Sequence, residues 1–359
     1  MSMLYDVSDM DQFIEMAYER QWTDGLPVFP PTEKNVRAMI DYVGRDPHDV
    51  VGVVPSGEGV ATIEKIAINA VMAGCKPEYL PVVITAVEAM LDPTFELMRV
   101  QATTAGPAPL AIISGPVVKH LGFNYGEGVF TGSGHRANAT IGRAIRLILW
   151  NVGMGRPGQM SHATMGQPGR WSYVVAERPP DDGNPWTPIH VTNGLRPEDS
   201  AVSMFPVGFH DEFWAGTGAQ PIENVLYVTA DTICHLGHFQ GACQKLLVIN
   251  PQFARVFHDA GWTKERLRDE LLTRCRRPFR DIKRTGGLSV THAYHWTKLV
   301  SGEDDDELVP SMVGPNHLQI TVSGGWAPPC SQSVAIHSMH GEMVTRKIDW
   351  PYDVGAADR

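Results

Sequence analysis

The chain has 359 residues, of which 43% are apolar and 19% are charged, and its formal net charge at pH 7 is −10. This length allows two domains or one large one, and the composition is that of a globular protein with a substantial core. The acidic balance argues against nucleic acid and anionic membrane surfaces as partners, because both would repel the chain.

Neither a targeting segment nor a disulfide framework is expected. The first ten residues carry acids and have no apolar core of the secretory type, and no apolar run is long enough to cross a bilayer. The five cysteines are an odd number and form no C-x-x-C motif. We therefore expect a reduced, cytoplasmic setting.

The spacing of apolar residues predicts helices in the first hundred residues. Cys75 lies between two of these helices, where a helix N-terminus favours the thiolate, so we assign it as a nucleophile or redox thiol. The alternative is a small residue buried at a tight helix junction. The predicted elements are helices over Ser8–Trp22 with Ser8 as N-cap, Glu33–Val43 after Thr32, Thr62–Ala73 ending at Gly74, and Glu78–Leu91 after Pro77, with a strand at Val50–Val54.

A glycine-rich loop in the middle of the chain predicts an anion-binding site. It spans Gly126–Gly134, follows a predicted strand at Leu110–Ser114, and leads through Arg136 into a predicted helix over Ala137–Asn151. Unpaired N–H groups and the positive end of the helix dipole favour a bound anion there. The spacing is neither G-x-G-x-x-G nor that of a P-loop, and an ordinary glycine-rich turn is the alternative.

Basic and polar residues around this loop are the candidate ligands of a small anionic substrate. His135 adjoins the loop, and it or His162 could act as general acid or base because imidazole titrates near neutral pH. Each of these histidines could instead serve only as a hydrogen-bonding group. We assign substrate binding to Arg99, Gln101, Gly132, Gly134, Arg136, Asn138 and Arg143.

A long stretch rich in Gly, Pro and Asn precedes Asp199 and divides the chain. We predict an α/β fold with mixed sheets flanked by helices in two blocks, an N-terminal domain at 1–200 and a C-terminal domain at 201–359. Further predicted strands are Trp171–Ala176, Ile189–Thr192, Asn224–Thr229, Leu246–Asn250 and Leu318–Ser323, and further helices are Gln252–Ala260 and Thr263–Cys275.

Histidine pairs with H-x-x-H spacing indicate a second kind of site. Two histidines three residues apart on a helix share a face and can bind one metal ion. We predict a divalent metal, with zinc as the expected ion, at His235 and His238 together with Asp231 or Cys234. Because no H-E-x-x-H motif is present, packed histidines are the alternative. The three pairs are His235/His238, His292/His295 and His337/His340.

Several segments together carry a family resemblance. W-T-D-G-L-P-V at Trp22–Val28, A-I-N-A-V-M-A-G-C-K-P-E-Y-L-P at Ala67–Pro81 and R-A-N-A-T-I-G-R-A at Arg136–Ala144 resemble bacterial proteins associated with the UGSC family of selenoproteins and thiol proteins. The likeness continues through Pro168–Arg170 and Leu246–Pro278. The resemblance implies an α/β bacterial protein that works beside a small selenol or thiol protein. Because the chain has no Cys-Gly-Ser-Cys tetrapeptide, that thiol would lie on a separate chain, or the redox role would be missing.

The leading functional hypothesis is a small-molecule enzyme that cleaves a carbon–heteroatom bond of an anionic substrate, by thiol-assisted reduction or as a lyase. Cys75 would be the thiol and His135 would move a proton. One alternative is a metal-dependent hydrolase at His235 and His238. Another is a non-catalytic ligand-binding subunit that serves a thiol or selenol partner. We expect no cofactor other than a divalent metal, and a homo-oligomeric assembly.

Overall fold

A mixed seven-stranded sheet with helices packed against it organises the chain. The structure is a computed structural model that describes residues 3–216, 218–238, 243–285, 300–326 and 330–351. Helices and strands alternate through much of this length, so the fold is α/β as predicted.

The α-helices of the described residues come from both halves of the chain. They are α1 (Met10–Glu19), α2 (Glu33–Val43), α3 (Ile63–Ala73), α4 (Leu80–Met90), α5 (Leu97–Ala102), α6 (Val117–His120), α7 (Arg136–Asn151), α8 (Ile189–Thr192), α9 (Pro221–Ile233), α10 (Pro251–Asp259), α11 (Lys264–Arg274) and α12 (Phe279–Arg284). The strands are β1 (Val50–Val54), β2 (Gly59–Thr62), β3 (Ala108–Ser114), β4 (Val174–Ala176), β5 (Ala201–Gly216), β6 (Lys245–Ile249), β7 (Arg276–Pro278), β8 (Leu308–Pro310), β9 (Leu318–Val322), β10 (Cys330–Ser338) and β11 (Val344–Lys347).

The large sheet runs through both predicted domains. Its order is β4-β3-β5-β10-β6-β9, with β11 also paired to β5. The β3–β4 and β6–β9 pairs are parallel and the other pairs are antiparallel. The 16-residue β5 binds β3 and β11 along its first half and β10 along its second. One hydrogen-bonded sheet therefore crosses the position at residue 200 where we placed the domain boundary.

Local capping signals in the N-terminal helices agree with the sequence. Thr32 caps α2 and Thr62 caps α3, each through a side-chain oxygen that accepts a backbone N–H three residues later. Gly74 ends α3 in the left-handed region at φ 90°. The N-cap of α1 was predicted wrongly: Asp9, not Ser8, accepts the N–H of Gln12 at 2.9 Å, and the helix is shorter than expected.

Two predicted strands are helices. Ile189–Thr192 forms α8, and Asn224–Thr229 lies inside α9. Their β-branched and aromatic residues favoured strands by composition, but the buried side chains of α9 recur at helical spacing and pack on the sheet. Conversely, β5 was not predicted, because Pro206 and Gly208 interrupt its apolar run.

A β-bulge in β5 decides which of its side chains reach each face of the sheet. His337 of β10 pairs with Phe209, whereas Ser338 pairs with Val207, so Gly208 is the extra residue. A Cβ at Gly208 would lie 2.7 Å from Met339 Cβ, which explains the glycine. Side chains alternate along a strand, so the bulge turns Phe209 and the odd-numbered residues after it to the opposite face.

The face that these residues join, which we call the helical face, carries two apolar cores. Met204 of β5 belongs to the first core, which includes α3, α4 and α7, and Phe213 belongs to the second, with α9, α10 and α11. Asp211 lies on β5 between Met204 and Phe213. The other face carries a third core around Phe205 and Ile336. No helix in the described part of the chain is long and apolar enough to span a membrane.

Candidate metal centre

Asp211, His238 and His337 converge on the helical face. Asp211 lies on β5, His337 on β10, and His238 in a 3₁₀ turn directly after α9. His238 Nδ1 is 2.7 Å from Asp211 Oδ2, and His337 Nε2 is 3.7 Å from the same oxygen. The His238–Asp211 contact is a hydrogen bond, and the three ligand atoms all lie within 4.8 Å of one another. Tetrahedral ligands about 2.1 Å from zinc lie about 3.4 Å apart, so small side-chain shifts would let the three atoms bind one ion.

The centre has one buried wall and one open side. The His337 side chain is 1% exposed, whereas those of Asp211 and His238 are 26% and 20% exposed. Three protein ligands with an approach from solvent are typical of a catalytic metal site, because a coordination position stays open for water or substrate.

His337 is the member of the centre whose surroundings are least satisfied. Among the described residues, neither of its ring nitrogens has a hydrogen-bond partner. Buried polar atoms normally find partners, and an unpaired one needs an explanation. Burial lowers the pKa of His337 well below its usual value, and the nearby charges of Lys245, His238 and His235 lower it further. The ring is therefore neutral, the form that binds a metal ion.

Neighbouring rings hold His238 in place. Phe209 stacks on its imidazole with ring centroids 3.9 Å apart and an interplanar angle of 13°. The exposed His235 ring lies 4.9 Å from the His238 ring on the solvent side. His235 is thus close enough to act on a molecule bound at the centre without being one of the three convergent ligands.

Lys245 lies behind the centre. It pairs with His337 in the β6–β10 register and is 1% exposed. Burial lowers the pKa of Lys245, and Cys243, Cys234 and Cys275 are close enough to oppose this effect. The buried wall thus places an amine among thiols, and its positive charge disfavours protonation of His337.

Neither protein-family models nor curated proteins match this chain. The resemblance to proteins associated with the UGSC family stays an expectation. We therefore infer function from the geometry of the centre.

The predicted metal site shares one residue with the convergent triad. His238 belongs to the convergent triad, and His235 lies beside it. Asp231 instead pairs with Arg277, with Nη2 and Oδ1 2.7 Å apart, and Cys234 lies beside Cys275. The pair follows α9 in a turn rather than lying on a helix. His292 and His295 lie outside the described residues.

Of the two ligands that we did not assign to this site, His337 carried a sequence signal and Asp211 did not. His337 belongs to an H-x-x-H pair, although its partner His340 is in the turn after β10 and is not part of the triad. Asp211 follows no recognisable motif, and only the bulge at Gly208 brings it to the helical face.

The glycine loop lies against the other face of β5. The Phe130 ring is 4.7 Å from the His210 ring, whose neighbour Asp211 points the opposite way. Several loop amides already have partners within the protein: Gly126 N–H donates to Asn124 Oδ1 at 2.9 Å, Thr131 N–H to Gly128 O at 2.9 Å, and His135 N–H to Gly132 O at 3.2 Å. Gly132 and Gly134 supply the positive φ angles of this turn, 67° and 79°.

Two of the predicted substrate ligands make structural contacts. Asn138 accepts the N–H of Asn124 at 2.8 Å and donates to its carbonyl at 3.1 Å. Arg143 Nη2 and Nε lie 2.9 and 3.2 Å from the two carboxylate oxygens of Asp24, which is 2% exposed. Both contacts anchor α7 to neighbouring segments of the chain.

Cys75 and Arg136 are neighbours, but the thiol is buried. Arg136 Nε donates to Gly74 O at 3.0 Å, and Cys75 is 6% exposed. Burial raises the pKa of Cys75 to about 12, against the opposing effects of Thr140 and Arg136. His135 and His162 are exposed. The catalytic roles proposed for Cys75 and these histidines stay predictions.

Arg99 and Gln101 of α5 point to different places. Arg99 binds Glu96 at 2.8 Å and lies near Cys243 and His340. Burial raises the pKa of Cys243 and lowers that of His340, and the charge of Arg99 lowers both. Gln101, on the same helix, is buried and its Nε2 donates to Pro55 O at 2.9 Å.

Proposed function

We propose that this protein is a metal-dependent hydrolase in which Asp211, His238 and His337 bind one divalent cation. The observation that carries the proposal is the buried imidazole of His337. Its two nitrogens lack hydrogen-bond partners among the described residues, while Nε2 lies 3.7 Å from the Asp211 carboxylate. Two imidazoles and a carboxylate form a ligand set that suits zinc at a catalytic site.

The residues around the ion divide the chemistry between them. A bound divalent cation polarises a substrate oxygen and lowers the pKa of its water to about 7. His235, exposed and next to His238, is placed to move the proton that hydrolysis requires. Stacking by Phe209 keeps the His238 ring in one orientation, as the neighbours of metal ligands commonly do.

A small anionic molecule is the proposed substrate class. Arg99 supports this choice, since its side chain is 62% exposed, binds Glu96 at 2.8 Å through Nη1 and acts electrostatically on His340, two residues after the end of β10, which carries His337. A guanidinium at this place can bind a carboxylate or phosphate group of the substrate while the reacting bond meets the metal.

Metal content of untagged protein tests the proposal. We expect close to one equivalent of zinc in the wild type by elemental analysis, and less than about a tenth in His337→Ala because one of three ligands is lost. His340→Asn is the matched control: it removes the other histidine of the same H-x-x-H pair and tolerates the positive φ of 68° at this position. It should retain the metal.

Activity is measured in parallel with a panel of small esters, amides and phosphate esters, before and after chelation. Zinc should restore activity to chelated wild type but not to His337→Ala. Wild-type protein that takes up no divalent metal, or that keeps full activity after complete metal removal, would overturn the assignment.

A further inference from the structure

A small cavity lies between α5, α7 and the start of β3. Its volume is about 20 Å³, and three polar side chains, Gln101, Arg146 and Arg170, interrupt an otherwise apolar wall. One water molecule needs roughly 10–15 Å³ by the same kind of measure, so the cavity takes one oxygen atom of an anion while the rest of the anion lies at its open side.

The two guanidiniums are held in place by uncharged acceptors. Arg146 Nη2 donates to Gly155 O at 3.2 Å. Arg170 Nε donates to Pro107 O at 3.0 Å, and its Nη1 donates to Ser161 Oγ at 2.7 Å. These contacts fix the orientation of both side chains and leave other N–H groups of each guanidinium for a ligand, because arginine has five donors.

Neither guanidinium has an ion-pair partner within the described part of the chain, although Arg146 lies 5.4 Å from the Trp150 ring centroid. No carboxylate there forms an ion pair with Arg146 or Arg170, and the acid whose charge acts on Arg146, Asp24, is bound by Arg143. Burial lowers the pKa of Arg146 to about 10, and repulsion from Arg170 acts in the same direction. Two like charges in a partly buried place are costly unless an anion compensates them.

Gln101 requires a hydrogen-bond donor from a ligand, whereas the arginines require acceptors. Its side chain is 4% exposed and its Nε2 donates to Pro55 O at 2.9 Å, but its Oε1 has no hydrogen-bond partner among the residues that the structure describes. This oxygen is an acceptor in the wall of the cavity that contains the arginines. A ligand that satisfies all three side chains must offer acceptor oxygens to the guanidiniums and one hydrogen-bond donor to Gln101.

We propose that this cavity binds a small oxyanion that carries a hydroxyl group, of the hydrogenphosphate or hydrogencarbonate kind. The anion's unprotonated oxygens accept hydrogen bonds from Arg146 and Arg170, and its hydroxyl donates to Gln101 Oε1. Sulfate has a similar charge and shape to hydrogenphosphate but no proton at pH 7, so it leaves Gln101 unpaired.

Titration calorimetry of the wild-type protein at pH 7 and constant ionic strength tests the proposal with sodium phosphate, sodium hydrogencarbonate and sodium sulfate in turn. We expect phosphate or hydrogencarbonate to bind at least about tenfold more tightly than sulfate, the cost of one buried unpaired acceptor. Which of the two binds more tightly distinguishes the tetrahedral from the planar anion.

Single-residue variants then test whether the anion binds at this cavity. Arg146→Gln should weaken binding of the preferred anion by about tenfold or more, because a charged donor is lost. Arg276→Gln, which removes an exposed charge whose Nε donates to Thr273 O at 3.2 Å, is the matched control and should leave the affinity unchanged. If Arg146→Gln does not fold, Arg170→Lys keeps the charge, loses the planar donor fork and should still weaken binding.

Three outcomes would overturn the proposal: no binding of any of the three anions to wild type, sulfate binding as tight as that of the hydroxyl-bearing anions, or loss of binding in Arg276→Gln with retention in Arg146→Gln. The metal centre contributes none of these side chains, but phosphate and hydrogencarbonate can also bind a metal ion. Binding to the cavity is therefore the part that Arg146→Gln loses and His337→Ala retains, whether or not the protein hydrolyses a substrate.

Discussion

The glycine loop and the metal centre lie on opposite faces of β5, and they differ in what they leave unpaired. The loop is a contiguous motif whose amides at Gly126, Thr131 and His135 bind acceptors within the protein. The centre is assembled from three separate segments, and no described residue pairs with the buried nitrogens of His337. A run of glycines reflects the shape of the backbone, whereas an unsatisfied buried group needs an explanation, for which we propose a metal ion at His337.

Replacement of a metal ligand should have a larger effect than any other substitution. Asp211→Asn removes the negative charge of the proposed metal ligand that lies next to both His238 and His337. We therefore expect metal-dependent activity to fall by at least about a thousandfold. Asp231→Asn is the control, since Asp231 pairs with Arg277 away from the triad. Steady-state kinetics with added zinc measures both. Equal losses of activity in Asp211→Asn and Asp231→Asn would argue against Asp211 as the carboxylate that binds the metal.

Arg143→Ala tests whether Arg143, a predicted substrate ligand near the glycine loop, has a structural role instead. This change leaves the Asp24 carboxylate, 2% exposed, without its partner, and an uncompensated buried charge costs about 3–5 kcal/mol of unfolding free energy. Arg136→Ala, at the start of the same helix, should cost less because Arg136 is exposed and bonds a carbonyl. Urea denaturation measures both, and a fully stable Arg143→Ala protein would argue against a structural role.

The bulge that orients Asp211 can be tested through its glycine. In Gly208→Ala the new Cβ would meet Met339 Cβ at 2.7 Å, so the strand must shift, at about 1–3 kcal/mol of stability. We expect weaker metal binding as well, because Asp211 lies just beyond the bulge. Gly216→Ala on the same strand is the control, since its new Cβ would have no atom of the described residues within 4 Å. Unchanged zinc affinity in Gly208→Ala would show that the bulge does not position the carboxylate.

The last effect concerns Cys75, is absent at pH 7 and appears only at alkaline pH. Because burial raises its pKa to about 12 in the folded protein, Cys75 stays protonated while the unfolded thiol ionises above about pH 8.5. The contribution to stability is therefore complete below the unfolded pKa and declines as pH rises toward the folded one, by at most about 1.4 kcal/mol per pH unit. Cys75→Ala should lose stability less steeply than wild type between pH 9 and 11, while its activity at pH 7 is unchanged.

Differential alkylation at pH 8, read by mass spectrometry of each cysteine peptide, provides an independent measurement. Slow labelling of Cys75 in the folded protein is expected, since the thiolate is the reactive form. Rapid labelling of Cys75, together with loss of activity in Cys75→Ala, would favour thiol-assisted cleavage over the metal-dependent hydrolase.

Features set by residues close together in the sequence were predicted correctly, whereas features set by tertiary packing were not. The cap at Thr32 and the C-cap Gly74 were predicted correctly, because a cap depends on hydrogen bonds within about four residues. The strand predicted at Asn224–Thr229 was wrong, because packing on the sheet outweighed the strand preference of its residues.

For this protein, the sequence by itself determined the α/β class, most N-terminal helices and one ligand of the proposed centre, His238. Tertiary structure alone decided that Asp211 and His337 join it, through the pairing of β5 with β10 and the extra residue at Gly208. It also brought Arg146, Arg170 and Gln101 to one cavity. The physical reason is that helix periods and caps are set by near neighbours in the chain, whereas strand register is set by contacts between segments far apart in sequence.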